Sequence, residues 1–427
     1  MGKPLAKLRV EAGGERWVVP VGMFLGGQAI SLFGSALVQY AVIWWVVLET
    51  DSATYYTLAT VAALLPAALF SVFGGVWADR YNRKALIIGA DAGVAVVTAI
   101  LAAIVLLGES NLWIVFGALA LRGIGNGIQT PAVTAMIPQV TPTDQLMRVN
   151  AIAGVIHAAV LLVAPAVAAG LLATIDLGWI FAIDVVTAGT AIAAIGLIHV
   201  PRLASGQSED GKRHAGREMQ AGLRYAWKDK VVRRVLVGYA AMFLLVVPAA
   251  NLVPIAVTRM FGASLLGLSA IEIVWSAGTI IGGAILAAWG GMRNRMAMML
   301  IVAGMWGVFT IGLGVSPNIW VFLVIMAIFG MSLPGLTTTA TTALQERVAP
   351  DYQGRVFGLV NIVMTLSSPL GMAVAGPLAD VFSIRSVLVV TGILTIAAAI
   401  VLSIGAPRIE PPPKPQNPNP DPPGTPR

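Results

Sequence analysis

Long apolar runs alternate with short polar breaks along the whole chain. Each run is near or above the roughly 20 residues that cross a bilayer as a helix. They fall at about 18–46, 54–76, 84–107, 112–138, 150–173 and 177–199, then at about 235–258, 266–289, 296–315, 319–343, 356–378 and 385–406. Twelve helices are predicted, with the prolines at 131, 165, 254 and 334 tolerated inside them. Two runs carry an ordered polar stripe. In the first, Gln28, Ser31, Ser35 and Gln39 share one face of a 3.6-residue helix; in the fourth, Arg122, Asn126 and Gln129 do the same. The most charged short break is Gly74 to Lys84, where Asp79, Arg80, Arg83 and Lys84 demand a membrane face because each charge inside hydrocarbon costs at least a few kcal/mol. Asp79 and Arg83, four apart, are placed to bond each other, and Gly74 and Gly75 to let the second helix approach a neighbour.

The two halves repeat. Gly74-Gly75 is echoed by Gly282-Gly283, Asn82-Arg83 by Asn294-Arg295, and Val140-Thr141-Pro142 with Arg148-Val149 by Val348-Ala349-Pro350 with Arg355-Val356. Six spans repeated once, joined by a long polar loop, read as an all-α membrane protein of twelve transmembrane helices in two pseudo-symmetric six-helix bundles. The divisions expected are a tail at 1–17, a first bundle at 18–200, a linker with a basic amphipathic helix at 201–234, a second bundle at 235–406 and an extended, Pro-rich, disordered tail at 407–427.

Composition agrees: 57% of residues are hydrophobic, 11% are charged and the mean hydropathy is +0.84. Cysteine is absent and histidine occurs three times, too few ligands for a metal cluster, haem attachment or thiol chemistry, so no metal or cofactor is expected. The net charge of +7 suggests nucleic acid until the positions of the charges are read. With the N-terminus inside, every Lys and Arg falls on the inner side except Arg259, Arg385 and the in-span Arg122. That bias places both termini and the middle loop in the cytoplasm, and the first span, which lacks a cleavage site, is expected to stay. No nucleic-acid partner is expected.

The stretch Gly74-Gly75-Val76-Trp77-Ala78-Asp79-Arg80-Tyr81-Asn82-Arg83-Lys84 closely resembles the loop between the second and third spans of the major facilitator superfamily. Asn82 stands where that family often has Gly and is expected to tolerate a left-handed backbone. Further stretches resemble the superfamily's proton-coupled drug-exporter branch, which includes bacterial macrolide-efflux proteins and relatives that export siderophores or move lysolipids. They are Ile30 to Ser35 with Leu48 to Ala53, Gly222 to Tyr225 with Val231 to Arg234, and Val348 to Asp351 with Gly354 to Val356. The antiporter feature Gly-Pro-x-x-x-Gly is only loosely met by Ala164-Pro165 and Gly170.

The resemblance implies a secondary active exporter of bulky amphipathic small molecules, exchanging them for protons as a monomer in a bacterial-type inner (plasma) membrane. A siderophore exporter or lysophospholipid translocator is the alternative within that class, and a receptor or scaffold the alternative outside it. A phosphate-cradling Gly-x-x-x-x-Gly-Lys-Ser/Thr loop is absent and the ionisable groups are scattered, so neither ATP hydrolysis nor another enzyme activity is expected. The resemblance also assigns roles. Arg122 is associated with proton coupling in a cavity-lining fourth helix. Asp79, with Gly75, Arg80 and Arg83, belongs to a gate that bonds near Gly354 and Arg355 when the cytoplasmic side is closed.

The three carboxylates inside spans, Asp91, Asp184 and Glu272, are candidates to bind the proton, Glu272 first because the eighth span borders the cavity or its gate. Asp91 is expected to bond back to the tether and Asp184 to be satisfied by neighbours such as Thr187. Gln28, Ser31, Ser35, Gln39, Asn126, Gln129, Asn251 and Trp275 are expected to face the substrate pathway, with Ser332 and Thr337 to Thr339 adding polar lining. Trp44, Trp45 and Met242 are candidates for an adaptable apolar wall.

Overall fold

The computed structural model describes residues 8–9, 17–109, 111–199, 223–262 and 264–406. The disordered tail and most of the linker expected from the sequence lie outside the described residues. The spans are Val18–Thr50, Ala53–Arg80, Arg83–Leu106, Leu112–Val140, Leu146–Thr174 and Leu177–Leu197. The second set is Lys230–Asn251 continued by Val253–Phe261, then Leu265–Trp289, Arg295–Val315, Ile319–Arg347, Pro350–Val381 and Ile384–Ser403. Ten of these helices are long and apolar enough to cross a membrane by length and composition. Leu112–Val140 and the interrupted seventh complete the twelve. A two-residue parallel pairing, Leu8–Arg9 with Ile198–His199, ties the start of the chain to the end of the sixth span.

Side-chain caps start many of these helices, and they explain part of the sequence repeat. Asn82 accepts a bond from the Ala85 N–H and Asn294 one from that of Ala297; Asn111 and Asn318 act likewise on Trp113 and Val321. Asn82 has φ −63°, so it is an extended N-cap and not the left-handed residue expected of a Gly replacement. At the seventh span, the Asp229 carboxylate accepts from Val231 and Val232 N–H groups, which breaks the expected amphipathic helix into a helical segment at 223–228 and the span proper. Residues 217–222 of that expected helix lie outside the described residues.

Packing repeats as the sequence does. In the first bundle the second span lies on the fourth, and the third on the fourth and sixth; in the other, the eighth lies on the tenth, and the ninth on the tenth and twelfth. Close approach of the first of these pairs needs glycine. A Cβ on Gly74 would stand 2.6 Å from the Gly127 carbonyl oxygen and 2.9 Å from Ile128 Cα, whereas one on Gly75 would meet nothing within 4 Å. Gly282 meets the Met331 backbone in the same way. Of the two adjacent glycines in the tether only Gly74 is required by packing, and the contact role expected of Gly75 is not found. Gly74→Ala is expected to cost about 1–3 kcal/mol of overpacking, and Gly75→Ala close to nothing. Thermal melting of the two purified variants, followed by size-exclusion, checks the contrast.

The bundles meet through the second span against the eleventh and the fifth against the eighth, two pairings that the repeat relates to one another.

Candidate functional site

The deepest polar cluster lies inside the first bundle. Arg122 Nη1 sits 2.5 Å from Asp184 Oδ2, with the two side chains 5% and 2% exposed. The same guanidinium donates to Thr98 Oγ1; Thr98 in turn bonds the Val94 carbonyl oxygen at 2.8 Å and approaches Asp184 at 3.4 Å. Ser35 donates to the other Asp184 oxygen at 3.2 Å. Two charges taken this far from water persist only when paired and hydrogen-bonded, and here both conditions are met. The expected neighbour Thr187 bonds only the Asp184 backbone.

One step along the bundle lies a second carboxylate. Asp91, 4% exposed, accepts from Gln129 at 2.5 Å and Ser31 at 3.4 Å, both on Oδ1, while its Oδ2 has no partner among the described residues. It does not bond back to the tether as the sequence suggested. Gln28 Nε2 is likewise buried without a partner among the described residues. The polar stripe of the first helix does share a face, but Ser31 and Ser35 turn into their own bundle, toward the third and sixth helices, rather than into a passage between bundles. The stripe fixes a common face; which neighbour it meets is set by the packing of the first span on the sixth. Gln39 is exposed and Asn126 half-buried.

A different polar layer joins the bundles. Tyr40 of the first span faces the Glu272 carboxylate of the eighth. Tyr56 of the second donates to the Asn251 carbonyl oxygen at 2.5 Å, and the Asn251 amide donates to Ser368 of the eleventh at 2.8 Å. Glu272 and Asn251 stand on the wall of a cavity of about 170 Å³ whose remaining lining, including Phe243, Trp275, Trp306 and Phe329, is apolar or aromatic. Trp275 is therefore on a cavity wall. Trp44 and Met242 are not on it: they are 0% and 2% exposed, packed in the core. Ser332 accepts from Trp306 Nε1 at 2.8 Å, and Thr337 and Thr339 bond Leu333 and Met298, so this part of the tenth span is tied within its bundle.

Beyond that layer the bundles are latched at one face. Asp380, near the end of the eleventh span, accepts from Ser52 Oγ at 2.8 Å, from the N–H groups of Ala53 at 2.9 Å and Thr54 at 2.8 Å, and from Arg259 at 2.6 Å. It thus caps the second helix of the opposite bundle, where free N–H groups and the helix dipole favour an anion. Arg259 also donates to the Asp51 backbone oxygen at 2.5 Å and the Ala379 carbonyl at 2.9 Å. Beneath the latch, a Cβ on Gly376 would collide with Thr57 Oγ1 and lie 2.9 Å from the Ala53 oxygen.

At the opposite, basic face the bonds described run within bundles. Arg83 donates to the Ala78 and Ala135 carbonyls at 2.9 and 2.7 Å and stands 3.7 Å from Asp79, whose side chain is 79% exposed. Lys84 caps the sixth helix through the Gly196 and Ile198 carbonyls. Arg347 pairs with Asp229, Arg295 with Glu346, and Tyr225 stacks on Tyr352 at 4.4 Å. Arg355 lies over the Tyr352 ring, 5.3 Å from its centroid, and Arg80 is exposed. His157 is exposed as well.

Sequence reasoning singled out neither Asp380 nor the latch role of Arg259. A signal was available: Ser52-Ala53 forms a helix start, whose free N–H groups favour an anion.

A family model described as Major Facilitator Superfamily matches residues 24–371 and 292–426. The chain is 32% identical over 391 residues to Macrolide efflux protein A of Streptococcus pyogenes, covering 91% of this chain and 96% of that protein. It is 23% identical over 394 residues to the multidrug efflux pump Tap of Mycobacterium tuberculosis, covering 90% and 92%. Among solved structures it resembles a bacterial homologue of the human lysosomal transporter Spinster in an inward-facing, unoccupied conformation. That match has a TM-score of 0.67 at 14% identity over 92% of this chain and 96% of that one. A POT family transporter in complex with a thioalcohol-conjugated peptide is similar with a TM-score of 0.72 at 10% identity, covering 90% and 95%.

Proposed function

The chain belongs to the major facilitator superfamily and is a multi-pass membrane transporter; from that premise we propose that it is a monomeric, proton-driven exporter of bulky, macrolide-like amphipathic compounds, working by alternating access in a bacterial-type plasma membrane. The observation that carries the reading is the pairing of an inter-bundle latch at one face with a cavity beneath it whose wall holds the carboxylate of Glu272. Likeness to a macrolide efflux protein along almost the whole chain supports the cargo class.

The basic face is the cytoplasmic one by the bias of Lys and Arg, with both termini on it. The latched face is then exterior and the state described is closed to the outside. The two bundles, 18–200 and 235–406, rock about the layer formed by Tyr40, Glu272, Tyr56 and Asn251. Glu272 carries the exchanging proton: neutralising it removes a charge where the eighth span faces Tyr40 of the opposite bundle, and so biases one bundle against the other. Arg122 pairs with Asp184, and Asp91, with one oxygen unpartnered among the described residues, is a second site for a proton in the same bundle. Asp79, Arg80 and Arg83 meet the start of the eleventh span near Arg355 when the latch opens and the cytoplasmic mouth shuts. Asn251 and Trp275, on the cavity wall, are the expected pathway residues that this reading keeps beside the cargo.

Inside-out proteoliposomes carrying the purified chain test this. Macrolide accumulation is expected to collapse on addition of a protonophore, and Glu272→Gln to lose at least tenfold of the gradient-driven uptake. Uptake indifferent to the protonophore would remove proton exchange from the mechanism.

A further inference from the structure

The end of the linker has no part in the export reading, yet it is built into the second bundle. Ala226 is 0% exposed, and residues around it grip the turn that joins the tenth span to the eleventh. Contacts of three different kinds do this. Tyr225 stacks on Tyr352 with ring centroids 4.4 Å apart and planes 13° from parallel, its hydroxyl accepts from the Ala349 N–H at 3.3 Å, and Asp229 pairs with Arg347 at 3.3 Å. The hydrogen bond has a cause in the local sequence. The eleventh span starts at Ala349-Pro350, where the N-cap residue has no side-chain oxygen to offer, so a donor at the helix start is met from another part of the chain. The stack leads on to Arg355. Its guanidinium lies over the Tyr352 ring, 5.3 Å from the centroid and three residues along the same helix, so the cation sits where that ring is held. Tyr225, lying flat against Tyr352, fixes the ring. Gly222 to Tyr225 and Val348 to Asp351, separate stretches along the chain, thus meet at one place on the basic face.

We propose that Tyr225 is a positioning residue for the cytoplasmic gate: the end of the linker holds Arg355, through Tyr352, where Asp79 of the opposite bundle meets it as that mouth shuts. The proposal rests on the gate assigned to Asp79 and Arg355 and adds the linker to it. The linker is also the covalent join between the bundles, so the residue that sets Arg355 belongs to the one segment that both bundles share.

The test reads gate closure without any cargo. Met147, 86% exposed, and Gln345, also exposed, stand beside the fourth-to-fifth and tenth-to-eleventh turns, which the sequence repeat relates across the two bundles. Met147→Cys with Gln345→Cys gives a thiol pair in a chain that has no other. The full chain in lipid nanodiscs is treated with o-phenylenedimaleimide, a short bridge, and the rate of intramolecular cross-linking is followed by mass spectrometry. N-ethylmaleimide labelling checks that the thiols themselves react as before. Asp79→Ala and Tyr225→Ala are each expected to lower the cross-linking rate at least fivefold, and the two together no further than either alone. Tyr225→Phe, which keeps the ring, is expected to recover all but about twofold. Should Tyr225→Ala not fold, Tyr225→Leu, which fills the space without a ring to stack, is judged by the same rates. A rate lowered by Asp79→Ala but not by Tyr225→Ala, or losses that multiply in the double variant, would sink this inference and leave the gate standing. A rate indifferent to Asp79→Ala, or no cross-linking even with the latch released by Asp380→Ala, would overturn the gate and the inference with it.

Discussion

Arg122→Met is expected to leave little folded protein, and adding Asp184→Asn to the same chain is expected to restore it. The pair is 2.5 Å apart with both side chains almost wholly buried. Removing the cation strands a carboxylate that keeps only the hydroxyls of Ser35 and Thr98. Breaking a buried pair from one side typically costs about 3–5 kcal/mol, a large part of the roughly 5–15 kcal/mol that holds a typical domain together. Replacing both partners removes the desolvation penalty together with the attraction, and the amide that Asp184→Asn introduces can still be served by Ser35. Asp184→Asn alone is the milder single change, since the guanidinium keeps a neutral acceptor. Yield of monodisperse protein and melting temperature are the readouts. If Arg122→Met melts with the wild type, the pair is not what organises the interior of the first bundle. If the double variant folds but no longer transports, the charges serve exchange rather than assembly.

Arg122 illustrates what was legible along the chain and what was not. A charge in a run of Leu, Gly and Ala announces itself, and so does its need for a partner. The partner stands 62 positions away on a different span, at a place where no local pattern marks it. Along the chain Asp184 is one of three in-span carboxylates, and nothing beside it says which of them Arg122 meets. The same limit applies to the first helix: spacing puts Ser31 and Ser35 on one face, while only the packing of helices decides that this face meets Asp91 and Asp184. Spans were legible because hydrocarbon thickness sets their length, and the repeat was legible because Asn82 and Asn294 perform the same capping. Gly74 and Gly75 are indistinguishable in sequence and differ completely in what surrounds them. The latch was the least visible feature, since it is made at helix ends by residues from Asp51 to Asp380 that acquire meaning only when the bundles meet.

Opening that latch is expected to expose residues now sealed beneath it. Asp380 accepts from Ser52, Ala53, Thr54 and Arg259, four donors of which three belong to the start of the opposite bundle's second helix. Bonds to a charged group are worth about 1.5–3 kcal/mol each at best, and less here because the carboxylate is partly exposed and screened. A combined loss of about 2.7 kcal/mol, half of the roughly 5.5 that carries a two-state equilibrium from 1:99 to 99:1, takes a 99:1 preference to even. Asp380→Ala is therefore expected to populate the alternative state substantially. The chain has no cysteine, so Thr57→Cys introduces a single thiol, placed where Thr57 is 3% exposed under the latch. Its reaction with a membrane-impermeant maleimide is expected to accelerate on the order of tenfold when Asp380→Ala is added, an effect in keeping with the same shift. Gly376→Ala reaches the same end without touching a charge, because its methyl group meets Thr57 Oγ1 and the Ala53 oxygen only while the second and eleventh helices are together. In a chain with Thr57 intact, an exposed-site reporter such as Ser386→Cys supplies the reference rate, and protection from limited proteolysis reads the opening. The two routes differ in one respect that identifies the force at work: raising the ionic strength weakens the wild-type latch toward the Asp380→Ala behaviour, and leaves the steric wedge at Gly376 unchanged. Labelling of Thr57→Cys that ignores Asp380→Ala would mean that the bundles are held at this face by apolar contact alone.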